Sequence, residues 1–142
     1  MTREKEIYKI FVASTFYKPD IKRNGEASRP RKHIRHQIND EVSVDSLSDA
    51  LDVMQTALRL AIKEHQNDDR FSLRFMMHHI TAKCKCCGAW LKPPRCVTIG
   101  DYDGELFTVK TGNRRKRFVN IESIKTHVLN TYNEQGDNNA GA

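Results

Sequence analysis

The chain predicts an α+β fold: a small antiparallel sheet with one long helix, one C-terminal helix and a cysteine-rich insertion resembling a zinc knuckle. Three observations lead there. Several segments of strand length are apolar, aromatic or alternating. Residues 43–66 repeat apolar side chains at three- and four-residue steps. All four cysteines, Cys84, Cys86, Cys87 and Cys96, fall within thirteen residues.

With 142 residues, 38% hydrophobic and 30% charged, the chain can build one modest core but not two. No segment approaches the roughly 18 apolar residues of a membrane helix. Met1 to Glu6 lacks the apolar run of a signal peptide. The expectation is a cytoplasmic protein with no membrane partner, in which clustered thiols are metal ligands or free rather than disulfide-bonded.

Residues 6–13 are aromatic and β-branched and form the first strand, within an N-terminal segment of 1–16. Residues 17–40 are expected as a basic flexible arm. Pro19, Asn24-Gly25 and Pro30 interrupt any ladder there, and Lys22, Arg23, Arg29, Arg31 and Lys32 make it cationic. The main domain spans 41–133.

Its long helix shows Val44, Leu47, Leu51, Met54, Leu58, Ala61 and Ile62 on one stripe, with Ser43 as cap and Asp45 and Asp49 at the positive end of the dipole. This 44–62 stripe packs on the chain's own sheet or forms a homodimer seam. Residues 71–83 alternate Phe71, Leu73, Phe75, Met77 and His79 against Ser72, Arg74, Met76, His78 and Ile80, a strand with one apolar face. Short strands at 96–99, 106–110 and 114–120 follow, joined by turns at Gly100–Gly104 and at Thr111-Gly112-Asn113. A last helix starts at Ile121, behind Asn120 as cap, and runs to about Tyr132. A polar tail, 134–142, is expected to be disordered.

Cys84-Lys85-Cys86-Cys87-Gly88 places two thiolates three positions apart ahead of a glycine, the spacing by which a tight turn aims two sulfurs at one Zn²⁺. Cys84, Cys87 and Cys96 are the first candidates for a structural zinc. Cys86, His79, His78 or His127 would complete the shell, although adjacent residues ordinarily point apart, which disfavours Cys86. The cysteine region spans 84–96 and lies close in sequence to the basic hairpin, so the two are expected to act as one unit. Catalytic zinc chemistry is not indicated. The His-x-Glu pattern of nucleobase deaminases, His-Glu-x-x-His and any Gly-rich phosphate loop are absent from the sequence.

The net charge is +6, distributed unevenly. Residues 1–36 carry ten Lys/Arg against four acids, 37–72 three against eight, and 73–142 eleven against six. Within the hairpin at 105–120, Arg114, Arg115, Lys116 and Arg117 run consecutively. That exceeds what edge-strand protection needs, and it suits phosphate contact by guanidinium groups. Lys110, Lys83, Lys85, Arg31 and Lys32 extend the candidate surface. The expected partner is DNA or RNA, and the expected role is that of a regulatory or accessory protein working by occupancy rather than turnover. The size and the lack of a catalytic signature suit a phage or mobile-element protein. A non-catalytic protein-interaction module is a further reading.

The predicted order of strand, helix, strand, three more strands and a helix resembles that of small ribosome-associated toxin ribonucleases. The resemblance implies an alternative, an endoribonuclease working through histidine and basic side chains, for which His78, His79 and His127 are the candidates.

Overall fold

Strands β1 (Glu6–Ile21) and β2 (Ala27–Val44) open the fold as one long antiparallel hairpin. Helix α1 (Leu47–Glu64) follows, then β3 (Phe71–Ile80), β4 (Arg95–Tyr102), β5 (Phe107–Thr111), β6 (Arg114–Phe118) and helix α2 (Ile121–Ala140). The structure is a computed structural model describing residues 5–21, 23–66, 68, 70–81, 84 and 86–140; side chains at 17–21, 27–33, 35, 36 and 133–140 lie outside the description. The strands make one open sheet in the order β2-β1-β3-β4-β5-β6, and every neighbouring pair is antiparallel.

Alternation along each strand decides which face is covered. Tyr8, Ile10 and Val12 of β1, Leu73, Phe75 and Met77 of β3, and Phe107 and Val109 of β5 are buried on one side. Both helices pack against that side, α1 over β1 and β2 and α2 over β5 and β6. They contribute Leu51, Met54, Leu58, Ala61, Ile124 and Val128 to the same core. Gln55 Nε2 donates to the Ile121 carbonyl (2.9 Å), and Lys125 pairs with Asp52 (2.6 Å), so the helices are also tied to each other. Among the described elements nothing helical covers the opposite face.

Several expectations are corrected. Of the arm expected at 17–40, residues 17–21 and 27–40 are strand backbone and 23–26 form a turn, residue 22 lying outside the described residues. Pro19 and Pro30 face each other in the β1–β2 register, where β1 has run past its last β3 partner at Phe16 and the missing N–H groups leave no central ladder broken. Helix α1 starts later than expected because β2 persists through Val44. Its cap is Ser46, whose side chain accepts from the Asp49 N–H (3.2 Å), and not Ser43. Residues 134–140 continue α2 as helical backbone rather than forming a separate tail. The 44–62 stripe is largely consumed by the chain's own sheet. Leu51, Met54, Leu58 and Ala61 are fully buried, so a homodimer through it would have to uncover the core. The element order gains a strand before α1, which removes the ordering that carried the toxin resemblance. No helix among the described residues is long and apolar enough to cross a membrane.

Candidate nucleic-acid face and cysteine site

Strand register aligns the uncovered face into rows. One row crosses five strands as Phe11, Met76, Ile99, Lys110 and Arg115. The row beside it runs Ala13, Arg74, Asp101, Thr108 and Arg117. The first row is therefore apolar over β1, β3 and β4 and cationic over β5 and β6, while the second carries Arg74 on β3 and Asp101 on β4. A shallow hollow of about 260 Å³ gathers Arg74, Ile99, Asp101, Lys110 and Arg115 where the two zones meet.

The basic hairpin closes through Gly112, whose φ of +61° matches the first central position of the two-residue turns that suit twisted strands. Its four cations divide by alternation. Arg115 and Arg117 join the uncovered face, while Arg114 and Lys116 line a polar groove of about 420 Å³ between β6 and α2 with Glu122, His127 and Asn130. All four are exposed. Among the described residues Arg115, Lys116 and Arg117 form no ion pair. Asp101 lies in the same hollow as Arg74, Lys110 and Arg115, and Asp103 lies in the β4–β5 turn. Its carboxyl is held below its ordinary range first by the backbone N–H groups of Leu106 and Glu105 (2.8 Å each) and only lastly by Arg117, so its charge is mostly engaged in the β4–β5 turn. Arg31 and Lys32 sit in β2 with side chains outside the described residues, as do Lys83 and Lys85 altogether.

The cysteine loop leaves β3 and turns sharply. The Cys84 N–H donates to the Ala89 carbonyl (2.7 Å), and the Gly88 N–H donates to the Cys84 carbonyl (2.9 Å). Gly88 has φ of +73°, a conformation that side chains resist, and it lets the chain curl back on itself. The curl overrides the tendency of neighbours to diverge. The sulfurs of Cys84, Cys86 and Cys87 lie within 4.8 Å of one another, with Cys84 and Cys86 at 2.9 Å. Sulfurs held about 2.3 Å from a tetrahedral zinc stand about 3.8 Å apart, so a small opening of the closest pair would suit three thiolates around one ion. The Cys84 thiol is drawn down to about 6, chiefly by the Cys86 thiol and then by the Cys87 and Cys86 backbone N–H groups. The same contact pushes Cys86 up.

This group keeps Cys84, Cys87 and Cys86 of the expected candidates and leaves out Cys96 and His79. Cys96 lies on β4 opposite His78 and outside the three-sulfur group, its thiol pushed up by burial. His79 is stacked on Tyr8 (4.6 Å between ring centroids), whose hydroxyl donates to Glu6. No fourth histidine, cysteine or carboxylate joins the three sulfurs among the described residues.

The loop then folds over the uncovered face at its β1–β2 end. Trp90 Nε1 donates to Glu41 (3.3 Å), and Lys9 Nζ lies 5.1 Å from the Trp90 ring centroid. Together with Pro94, Trp90 walls a hollow of about 340 Å³ floored by Phe11 and Met76. Trp90 of the cysteine loop thus reaches β1 and β2, whereas the basic hairpin forms β5 and β6 at the other edge of the sheet.

Three histidines were candidates for catalysis, and the structure does not bring them together. His78 is on the uncovered side, where burial and then Lys9 lower its pKa. His79 stacks against Tyr8 of the core, and His127 is on α2, 5.3 Å from the Phe118 ring. Strand β6, beneath His127, stands three places from β3 in the sheet, about 14 Å at the ~4.8 Å strand spacing. The residues that sequence reasoning missed are Lys9, Phe11, Arg74 and Ile99. The alternation in β3 already marked Arg74 and Met76 as the second face, and only the strand order shows what lies beside them. Set against models of protein families, curated proteins and solved structures, the chain matches none.

Proposed function

We propose that the protein binds nucleic acid through the uncovered face of its sheet and acts by occupancy, with one zinc ion stapling the β3–β4 loop. The observation that carries this reading is the clustering of Arg74, Lys110 and Arg115 around one hollow with a single carboxylate, Asp101, and of Arg117 in the adjoining row, on a face that neither helix packs on. Lys and Arg on such a surface displace condensed counterions from the phosphate backbone, and guanidinium groups add paired hydrogen bonds to phosphate oxygens. Cys84, Cys86 and Cys87 would fill three of the four positions of a tetrahedral ion. Soft thiolate donors favour zinc over magnesium or calcium. Bound there, the ion supplies cross-linking of the loop and no reaction step.

The test is fluorescence anisotropy with labelled random-sequence oligonucleotides between 50 and 200 mM salt. Four phosphate contacts give a log–log slope of about −3. Replacing two of them, as in Arg115→Glu with Arg117→Glu, flattens the slope by about 1.5. Binding that is absent, or indifferent to salt, refutes the reading. Elemental analysis of the purified protein tests the staple. About one zinc per chain, lost in Cys84→Ser, is the expected result.

A further inference from the structure

From the row that crosses the uncovered face we infer that this surface is built for single-stranded rather than duplex nucleic acid, with unstacked bases seated beside Phe11 and Met76. The inference rests on the nucleic-acid reading above and narrows its substrate. Two hollows adjoin at these side chains, one of about 720 Å³ and one of about 340 Å³, and Phe11 and Met76 line both. Each has an apolar floor and a cation in its lining, Arg74 for the larger, beside Asp101 and Asp103, and Lys9 for the smaller. Trp90 supplies an aromatic wall to the smaller hollow. Further along the row the apolar side chains give way to Lys110 and Arg115. A polymer with alternating flat apolar groups and phosphates complements that alternation of floor and rim.

A duplex does not. Its base edges lie at the bottom of grooves and are read by an element that protrudes, a helix or a two-stranded ribbon. Here the apolar hollows lie on β3 and β1 in the body of the sheet, two and three strand positions away from β5, the nearer strand of the basic hairpin. A duplex resting on this face would meet the cations with its backbone and leave the hollows empty. A single strand can turn its bases outward and stack them on aromatic side chains, and it does so with little dependence on sequence. Asp101, at the rim of the larger hollow, offers an acceptor for exocyclic amino groups on a seated base.

Trp90 is the sole tryptophan of the chain and reports on its own hollow. The experiment compares three probes of equal length on the full zinc-loaded protein: a mixed-sequence single strand, its duplex, and an abasic single strand carrying the same phosphates. The expected result is binding of the single strand about 5- to 100-fold tighter than either of the others, with quenching of Trp90 emission by the single strand alone. Phe11→Leu weakens single-strand binding about fivefold or more while leaving the salt slope unchanged. Trp90→Leu, at an exposed loop position, does the same without touching the core. Equal binding of all three probes with a common salt slope overturns the inference and leaves the nucleic-acid reading standing. Salt-insensitive or absent binding of every probe overturns the nucleic-acid reading itself.

Discussion

The cysteine loop and the β5–β6 hairpin are near neighbours in the chain and opposites in construction. The hairpin is part of the sheet. Phe107 and Val109 are buried under α2, Phe107 stacks on Tyr102 (4.2 Å between ring centroids), and Thr98 and Thr111 hydrogen-bond across the strands between them. The loop has no such anchorage. Cys86, Cys87, Ala89, Trp90 and Leu91 are all exposed, and the loop's described ties include two backbone hydrogen bonds, a β-bridge at Trp90, a thiol contact and the Trp90 link to Glu41 and Lys9. The difference teaches where a metal would matter. The cations of β6 are positioned by hydrophobic packing, whereas a bound ion would hold three thiols of an exposed turn in one arrangement.

The largest way to sharpen this contrast is Phe107→Ala. Removing a fully packed ring from beneath the hairpin should cost about 3–5 kcal/mol in a denaturant melt. A cost below about 1 kcal/mol would mean that the hairpin is not anchored as described. Next comes Gly100→Ala. A Cβ there would stand 2.5 Å from Phe75 Cζ and 2.6 Å from the Thr108 carbonyl oxygen, so β4 must shift, at a cost of about 1–3 kcal/mol. The same melt reads it.

Chelation should act more locally. The core holds Leu51, Phe75, Met77 and Val109 without help from the cysteines, so stripping the metal should move Tm by less than about 3 °C. Chymotryptic cleavage after the exposed Trp90 should accelerate in the same sample. Global unfolding on chelation would reverse the comparison and make the loop the keystone. Smallest of all is the effect on stability of Arg115→Glu with Arg117→Glu, within about 0.5 kcal/mol of the parent because both side chains are exposed, although the pair should lose about half of the salt dependence of binding.

Legibility in the sequence followed the range of the forces involved. The 3.6-residue stripe of α1 and the alternation of β3 were readable because each reports one element meeting one apolar environment. The Gly112-Asn113 turn was readable because a short-range backbone requirement selects glycine. The β1–β2 hairpin was not. Proline and glycine look like loop residues until one knows that β2 is an edge and that β1 outruns its inner neighbour. At the cysteine site the thiols were identifiable as a set, but the choice among them turned on the curl at Gly88, which brings Cys86 in and leaves Cys96 on β4.

What the amino-acid order determined alone is therefore the local material: an amphipathic helix, alternating strands, a thiol-rich turn and a run of four cations. The tertiary structure decided which of these share a surface. Pairing of β1 with β3, and of β3 through β6 in series, set Phe11 and Met76 in one row with Lys110 and Arg115, residues up to a hundred positions apart in the chain. Side-chain periodicity is a property of one strand. Register between strands is settled only when burial of the opposite face selects a single alignment.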